Sequence, residues 1–519
     1  MKITRAHHKI GWLFIFCLSI SKLSAQDIPI HDFWNREIEK TSIRNPSLTA
    51  TSYKPMLQSE TDFTQFPSQI KDSAKYYWNI NRILFRDHWI EYKKEDVEIT
   101  VDPWVDLSVY KDKENESYNQ KIGRPFNNSR GAWIKGKIGS GFSFHTAFLE
   151  TQSLFPFYMH TLADSLQVIP GMGRFKAFEK YGYDYAISSS SINIEPSSFI
   201  HVSLNYGRQM IGNGYRSVLL SDAVMNYPFV NFRLTKKKWV YISSAGLMQE
   251  QERIPLGATS ESLYKRKINS WNYFIFIPHP SIEIGILESV SYSIWNPTGR
   301  QSPHYSLYMP VIGMRTLLDD NSKTQRLYGL NFKLNVAKKF ITYGQWAFQN
   351  EILDRNAYQF GVLYSNFIID NLDIRAEFNF TSPYFYSSGL NLLSYSQQNQ
   401  SLGHPAGGNM KEWLLRLDYR KKRFLFHGDI NQINQITGLS SMTSTLQYTD
   451  MEESTRDLLQ WQTQVGWVIN PKSNFSAWVG YTKRKDIHKY ETLASPVRNN
   501  ASLFTISLSS TFHSRYFDF

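Results

Sequence analysis

The chain has 519 residues and a net charge of +12, and 15% of its residues are aromatic, including 31 Tyr, 34 Phe and 14 Trp. Its mean hydropathy is −0.40, and no run of about 18 apolar residues follows the first 25, which excludes a membrane protein built from helical spans. The only cysteine, Cys17, lies within the N-terminal leader. Disulfides, thiol catalysis and cysteine-ligated metal sites are therefore excluded for the rest of the chain.

Residues 1–25 have the pattern of a secretory signal peptide. Basic residues precede the apolar run 11–20, and the small residues Ser24 and Ala25 follow it. The run is too short for a transmembrane anchor. We predict cleavage after Ala25 and an exported protein, which makes nucleic acid an unsuitable partner for its positive charge.

Residues 26–95 lack strand alternation. They contain polar, proline-bearing pieces at Asn45-Pro46 and Lys54-Pro55, and a weak helical pattern from Ile70 to Trp78. We predict a short, mostly irregular or helical extension that is periplasmic or plug-like and has no core of its own.

From residue 97 onward the sequence is a succession of two-faced strands, of which Leu372 to Phe380 is the clearest. Its even positions are all apolar, and its odd positions are charged or amide residues. A soluble sandwich accommodates this pattern with core and solvent, and a membrane barrel accommodates it with lipid and lumen. From this segment and from Trp413 to Arg420, the residues that we predict to carry charge in the lumen are Asp373, Arg375, Glu377, Arg416 and Asp418.

Two features favour a barrel. On the polar faces, ionised and amide side chains repeat without apolar residues between them. The connections alternate between short, as at 470–474, and long, as at 382–411 and 433–457, which is typical of periplasmic turns and extracellular loops. At roughly 24 residues per strand and connection, the chain from residue 97 supplies about 18 strands. We predict an all-β fold, a transmembrane antiparallel β-barrel that occupies residues 96–519 and lies in the outer membrane.

Two local features of the barrel are also predicted. Asp102-Pro103 is expected to separate a strand at 97–101 from one at 105–109, because proline cannot donate to a ladder. The last strand is expected to run from Phe504 to Phe512. The aromatic Phe519 is expected to close it, as a residue that the outer-membrane insertion machinery reads.

Residues 206–222 form the most unusual segment, since Gly212 and Gly214 flank an asparagine in a composition typical of a tight turn. Together with Gly207 these glycines suit a phosphate cradle, but the fingerprint spacing and a following helix are missing. We favour a structural role in which Arg208 and Arg216 pair with carboxylates in the lumen.

This segment resembles the Wzi-type capsule-assembly barrels and the related RemB-like gliding-motility proteins. The resemblance extends through Leu287-Glu288-Ser289, Leu307 to Val311, Leu327 to Lys333 and Leu402 to Asn409, and covers most of residues 90–420. It implies an outer-membrane barrel of 18 strands with a role in polysaccharide attachment or in secretion and gliding, and it carries over no catalytic residue. The motif residues that we assign a structural role are Gly212, Gly214, Tyr215, Arg216, Ser221, Asp222 and Glu288.

The loop from Ser382 to Asn409 concentrates aromatic and amide side chains. Aromatic faces stack on sugar rings, and amide or imidazole groups hydrogen-bond to hydroxyls, so we predict a contact for a glycan or a protein partner. The alternative is an interfacial aromatic girdle with a packed loop. The candidate contact residues are Tyr384, Tyr386, Tyr395, His404 and Asn409.

No G-x-S-x-G, H-E-x-x-H or Walker pattern occurs in the sequence. We predict a non-enzymatic barrel without a cofactor or metal, acting in surface polysaccharide (capsule) assembly or as an accessory of gliding motility and adhesin secretion. The competing prediction is a passive or selective pore, and a barrel enzyme acting on lipid or glycan is the least favoured alternative. The mixed charges of the polar faces favour a lumen that is cross-linked by ion pairs over an open pore. The expected partners are outer-membrane lipid, lipopolysaccharide phosphates, surface polysaccharide, or secretion and gliding proteins. Alternatively, the excess charge lies in the lumen and on loops with no specific ligand.

Overall fold

The structure is a computed structural model that describes residues 26–44, 46–58, 79–253, 264–296, 299–318, 324–350, 352–388, 391–438, 453–510 and 512–519. The predicted signal peptide and the helical pattern predicted for residues 70–78 lie outside the described residues. Long antiparallel strands form a single closed barrel. In chain order they are β1 (Val97–Asp112), β2 (Phe126–Ile138), β3 (Phe142–Leu154), β4 (Gly182–Ser197), β5 (Ile200–Gly207), β6 (Tyr227–Lys236), β7 (Trp239–Arg253), β8 (Tyr264–His279), β9 (Ile282–Ser293), β10 (Thr324–Val336), β11 (Phe340–Gln349), β12 (Ile352–Tyr364), β13 (Leu372–Thr381), β14 (Met410–Lys421), β15 (Phe424–Thr437), β16 (Ser454–Asn470), β17 (Phe475–Tyr490) and β18 (Ala501–Ser509).

Pairing of β18 with β1, with Leu508 opposite Leu107, closes the barrel. The predicted all-β class, the antiparallel barrel and the strand number are therefore confirmed. The helices are α1 (Asp32–Arg44), α2 (Asn79–Phe85), α3 (Glu116–Ile122), α4 (Phe157–Leu166) and α5 (Met314–Leu317), with 3-10 turns at Tyr305–Tyr308, Ala337–Lys339 and Asn391–Leu393. Across the described residues, no helix combines the length and apolarity that a bilayer span requires. Short strands lie at Tyr53–Lys54, Ile90–Lys94, Lys176–Phe178, Met210–Ile211, Trp295–Asn296, Gly299–Arg300, Ser396–Gln397, Gln400–Ser401 and Val497–Arg498.

The long strands alternate between an apolar outer face and a polar inner face. On the outside, Trp413 is 60% exposed and Phe360 is 51% exposed, whereas the inward Glu377 and Asn379 are buried. A continuous apolar outer surface is stable against lipid and unstable against water. The alternation seen in the sequence therefore separates a lipid-type surface from a polar lumen.

The two ends of the barrel differ in the length of their connections. One end, here the turn end, carries short turns such as 139–141, 237–238 and 422–423, while the other, the loop end, carries connections such as 155–181, 294–323 and 382–409. The predicted alternation of short and long connections is confirmed.

Outward aromatic residues lie near both ends of the barrel. Trp239, Phe424 and Trp467 lie close to the turn end, and Trp346 and Trp413 lie toward the loop end; all five are exposed. Aromatic rings, and tryptophan above all, favour the boundary between lipid and water, and the two groups are arranged like the two aromatic girdles of membrane barrels.

Pro103 does not interrupt the ladder, and the predicted break is wrong. β1 is continuous, and Pro103 lies opposite Ala132 of β2. The Pro103 carbonyl accepts a hydrogen bond from the Ser510 hydroxyl at 3.2 Å, so this residue faces the side of β18, whose ladder with β1 begins only at Asp106. The missing N–H of proline therefore points beyond the end of the neighbouring strand, where it costs no ladder bond.

The last strand also ends earlier than predicted. β18 stops at Ser509, and Phe512, Tyr516 and Phe519 are buried inside the barrel. Phe512 stacks on Trp133 with ring centroids 4.9 Å apart. The prediction that Phe519 closes the last strand is wrong, because the lumen offers these aromatic rings an apolar wall.

Candidate functional site: a lumen filled by three inward segments

Three segments of the chain occupy the lumen. The plug segment comprises residues 26–58, the inserted loop comprises residues 208–226 between β5 and β6, and the post-barrel segment comprises residues 510–519. Nearly all side chains of the inserted loop are buried. A barrel of 16–18 strands is wide enough for an aqueous channel. These segments therefore decide whether a channel exists.

The helix α1 of the plug segment carries a stripe of charges. Asp32, Arg36, Glu39 and Lys40 follow one another at intervals of four, three and one residues, which places them along one side of the helix. An apolar cluster beside this stripe packs the helix against the rest of the plug segment. The cluster consists of Ile28, Phe33, Trp34, Ile38 and Met56.

Each charge of this stripe meets an opposite charge on β13 or β14. Arg416 Nη2 lies 3.0 Å from Asp32 Oδ2, and Lys40 Nζ lies 2.5 Å from Asp373 Oδ2. Charges withdrawn from water are tolerated when each has a partner. We name these four ion pairs the plug latch: Asp32–Arg416, Arg36–Asp418, Glu39–Arg375 and Lys40–Asp373.

The two carboxylates of the helix differ in proton affinity. Burial raises the pKa of Asp32, but the guanidinium groups of Arg416 and Arg36 outweigh it and lower this pKa to about 2. At Glu39 burial outweighs the attraction of Arg375 and raises the pKa. As the pH falls, Glu39 therefore takes up a proton before Asp32 does.

Glu377, the remaining predicted lumen charge, holds the inserted loop. Its carboxylate accepts hydrogen bonds from the backbone N–H groups of Tyr215 at 2.5 Å and Arg216 at 3.2 Å, and from the Tyr343 hydroxyl at 2.6 Å. The glycine-bearing turn therefore does bind an anion, but that anion is a carboxylate of the barrel wall. The phosphate-cradle alternative is wrong for these N–H groups.

Arg216 links the inserted loop to the wall and to the post-barrel segment. Its Nε and Nη2 donate to Glu412 Oε1 at 3.2 and 3.1 Å, and Nη2 lies 3.1 Å from Asp518 Oδ2. Glu412 Oε2 lies 2.7 Å from His404 Nε2 and accepts from Asn379 Nδ2 at 2.8 Å. Arg216 thus pairs with lumen carboxylates, as predicted. We name these five residues the arginine hub.

Arg208 has partners other than those predicted. Its Nη1 donates to the carbonyl oxygens of Asp222 at 2.7 Å and Ser514 at 2.9 Å, and its Nε donates to Asn226 Oδ1 at 3.2 Å. The predicted pairing with a carboxylate is wrong, because irregular loops leave backbone carbonyls that need donors. Asp222 instead accepts a hydrogen bond from the Tyr516 hydroxyl at 2.8 Å.

Two other motif residues fix loops. Glu288 on β9 accepts hydrogen bonds from the N–H groups of Gly313 at 2.8 Å and Thr316 at 3.1 Å, and so holds α5 within the connection 294–323. Ser221 donates its N–H to the carbonyl of Leu402 at 2.6 Å, which joins the inserted loop to the loop 382–409.

Gly212 occupies a position that a side chain fits poorly. Its φ is +148°, its N–H donates to the Ser52 carbonyl at 2.6 Å, and its carbonyl accepts from Lys54 Nζ at 2.8 Å. A Cβ added here would lie 2.6 Å from Gln345 Nε2. The plug segment and the inserted loop therefore meet at a point with no room for a side chain.

Gly212→Ala is expected to lower the free energy of unfolding by about 1–3 kcal/mol, through backbone strain and the close contact. The matched control is Gly207→Ala, whose added Cβ meets nothing closer than 3.8 Å and should change stability by less than about 0.5 kcal/mol. Urea unfolding of the purified barrel, followed by tryptophan fluorescence, measures both. Equal unfolding midpoints for the two variants would contradict the assignment.

Three of the five candidate contact residues are buried, so the prediction that they contact an external partner is wrong. Tyr386, Tyr395 and His404 are at most 1% exposed. Tyr386 donates its hydroxyl hydrogen to the Val218 carbonyl at 2.8 Å, because the inserted loop needs donors there. Tyr384 is 45% exposed, and Asn409 is half-buried, with its N–H donating to the Ser382 carbonyl at 3.0 Å.

A polar chamber of about 380 Å³ remains between α1 and the wall formed by β14 to β18 and β1. Gln460, Gln462 and Gln464 line its side, Trp478 lies toward the turn end, and Tyr158 of α4 lies toward the loop end. Among the described residues, no group of His, Cys, Asp and Glu is placed to hold a metal ion.

No protein-family model and no curated protein sequence matches this chain. Among solved structures, Wzi of Escherichia coli matches with 11% identity and a TM-score of 0.57, over 94% of this chain and 100% of that chain. Wzi is described as an outer membrane protein involved in group 1 capsule assembly and as a carbohydrate-binding β-barrel. This chain shares the barrel fold of Wzi. A BenF-like porin from Pseudomonas fluorescens Pf-5 (8% identity, TM-score 0.45, 80% and 98% covered) and OprD from Pseudomonas aeruginosa (10%, 0.42, 82% and 97%) also match.

Sequence reasoning missed the charged residues of α1. Their signal was present, since acidic and basic residues recur at helical spacing from Asp32 to Lys40. The pattern looks like a solvated helix face, because nothing in the sequence says that strands some 330 residues later supply the opposite charges.

Proposed function

We propose that this protein is a non-enzymatic outer-membrane barrel that acts at the cell surface in the attachment or assembly of a polysaccharide. The filled lumen supports the proposal: the plug latch and the arginine hub join three inward segments to the wall. Because these contacts fix the interior of the barrel, we assign its function to the loops. The fold shared with Wzi, itself described as carbohydrate-binding, motivates the choice of polysaccharide.

The difference in connection length between the two ends supports one orientation of the barrel. In barrels of this kind the short turns face the periplasm and the long loops face the outside. The connections 294–323 and 382–409 would then face the medium.

Exposed aromatic residues lie on these two connections. Tyr305, Tyr308 and Tyr384 are 57%, 56% and 45% exposed, and the Arg355 guanidinium lies 5.9 Å from the ring centroid of Tyr384. Aromatic faces stack on sugar rings, and arginine pairs with sugar carboxylates. An acidic polysaccharide fits this surface.

Replacing Tyr305, Tyr308 and Tyr384 by alanine is expected to weaken binding of the cell's own surface polysaccharide about 2- to 13-fold each, taking a ring stacked on a sugar to contribute roughly the 0.5–1.5 kcal/mol of an aromatic pair. Glycan binding to the purified barrel, measured by surface plasmon resonance, tests this. The matched control is Tyr92→Ala, an exposed tyrosine at the turn end, which should bind like the native protein. Unchanged binding in all three loop variants would contradict a glycan contact at this surface.

A role as an accessory of gliding motility or adhesin secretion is the other form of the proposal. Deletion of the gene separates the two. Loss of capsule retention with normal spreading and secretion supports polysaccharide attachment, and the reverse outcome supports the accessory role. Normal behaviour in all three assays would contradict both.

A selective pore is the second candidate, and the polar chamber of about 380 Å³ is the observation that favours it. Planar-bilayer recording distinguishes the two, because a pore conducts ions and a braced barrel is silent.

A further inference from the structure

The segment 79–94 exposes an unusual amount of apolar surface at the turn end. Ile80 is 72% exposed, Leu84 47%, Trp89 54% and Ile90 59%. The apolar residues of the plug segment, by contrast, are packed in the lumen. Side chains of this size are not left in water over a contiguous segment without a partner.

The second half of the segment extends the outer wall of the barrel. Strand Ile90–Lys94 pairs with β1, with Ile90 opposite Val101 and Tyr92 opposite Ile99. Residues directly opposite one another share a face, and these partners belong to the outward face of β1. Since β18 covers β1 only from Asp106 onward, the short strand occupies the wall below β18. Its apolar face is therefore continuous with the lipid-type surface.

The first half is fastened to the turn end by side chains of the barrel. Asn470 Nδ2 donates to the carbonyl oxygens of Ile83 at 2.9 Å and Asp87 at 2.8 Å, and Arg423 Nη2 donates to the carbonyl of Phe85 at 3.1 Å. Asn470 ends β16, and Arg423 precedes β15, so α2 lies at the height of the outward aromatic residues of these strands. α2 is therefore held at the turn end of the barrel.

Basic residues accompany the apolar ones. Residues 79–94 contain four Arg or Lys and two Asp or Glu, and Arg82 shares Asp87 with Arg86. The adjacent turns add exposed lysines at 421, 422 and 472. A face that combines exposed apolar rings with a positive rim suits the boundary between acyl chains and anionic headgroups.

We propose that residues 79–94 form an interfacial anchor that lies in the turn-end leaflet of the membrane and binds anionic glycerophospholipid headgroups. The proposal rests on the membrane location proposed above. Ile80, Leu84, Trp89 and Ile90 enter the upper acyl region, and the arginine and lysine side chains contact phosphates. A lipid is favoured over a protein partner because the apolar face is continuous with the barrel's outer surface.

Spin labels on the full chain in nanodiscs test the location. Labels at Ile80→Cys and Trp89→Cys are expected to be accessible to oxygen and shielded from a water-soluble nickel complex, at a depth of about 5–10 Å below the headgroups. Leu330→Cys, on the outer face of β10, is the lipid reference, and Lys338→Cys, in an exposed turn, is the water reference. If the labels at 80 and 89 were as accessible to the nickel complex as the label at 338, the anchor would be overturned. A label at 330 that is still shielded from nickel would show that the membrane location of the barrel holds in that case. Shielding from both reagents would indicate a protein contact and would equally overturn it.

The preference of the protein for anionic lipid tests the role of the basic side chains in the segment 79–94. In nanodiscs of phosphatidylcholine with phosphatidylglycerol, native mass spectrometry should find phosphatidylglycerol retained preferentially. The variant Arg82→Gln/Arg86→Gln/Lys93→Gln/Lys94→Gln should reduce that preference at least about tenfold. The matched control removes four charges at the loop end: Lys483→Gln/Lys485→Gln/Lys489→Gln/Arg498→Gln. Equal retention of phosphatidylglycerol by the first variant and the native chain would overturn the headgroup assignment.

Discussion

Arg36→Glu/Lys40→Glu is expected to give a barrel with resolvable unitary conductance, whereas the native barrel is expected to be silent. In the native protein Arg36 pairs with Asp418 and Lys40 pairs with Asp373 on the barrel wall. In the variant, each of these two wall carboxylates would face a new carboxylate instead of a cation. Like charges at such short range in the lumen repel strongly. α1 would leave the wall, and the polar chamber beside it would widen toward the bore of a barrel of this strand number. Planar-bilayer recording of purified protein measures the change.

Two controls accompany this prediction. Adding Asp373→Lys and Asp418→Arg restores opposite charges across the same contacts, and this quadruple variant is expected to be silent again. Lys338→Glu/Lys339→Glu makes the same change of charge in an exposed turn and should leave the conductance unaltered. Heat-modifiable migration on gels confirms that each variant is folded. A folded but silent Arg36→Glu/Lys40→Glu barrel would show that the inserted loop and the post-barrel segment close the lumen unaided.

Arg216→Met is expected to reduce the free energy of unfolding by about 3–5 kcal/mol, the cost of leaving a buried charge without its partner. Glu412 is fully buried and would keep only His404 and Asn379 as partners. Asp518 would lose its contact with the guanidinium as well, which loosens the post-barrel segment. Urea unfolding of the barrel in detergent micelles measures the loss.

The double variant Arg216→Met/Glu412→Gln separates charge from packing. Because it removes both charges, it should recover a large part of the lost stability. Arg124→Met, at an exposed position in a loop, is the matched control and should shift stability by no more than about 0.5 kcal/mol. Native-like stability of Arg216→Met would refute the hub as a structural element.

The fold could be predicted because alternation is a local property. In Leu372 to Phe380 every second residue is apolar, and lipid and lumen sort the two sets without reference to any distant partner. The same local logic failed at Pro103. Whether a proline interrupts a ladder depends on the length of the neighbouring strand, and that strand lies some 400 residues away in the chain.

The candidate site could be predicted only in part. Asp373, Arg375 and Glu377 were placed in the lumen from parity alone, but their partners in α1 and the inserted loop were not identified. The loop aromatics illustrate the same limit. Tyr384 and Tyr386 are two residues apart and chemically identical, yet one is exposed and the other buried, because the inserted loop covers only the second.

The sequence by itself determined the class of the molecule: a two-faced, aromatic-rich succession of strands that closes into a barrel with charges on its inner surface. Only the tertiary structure decided what those charges do. Ion pairs join residues far apart in the chain, such as Glu39 with Arg375 and Arg216 with Glu412. A charged side chain in a strand indicates only that it needs a partner. Which segment folds inward to supply one depends on shape and on competing partners. The barrel and the ion-paired lumen could therefore be predicted from the sequence, but the segments that supply the partners could not.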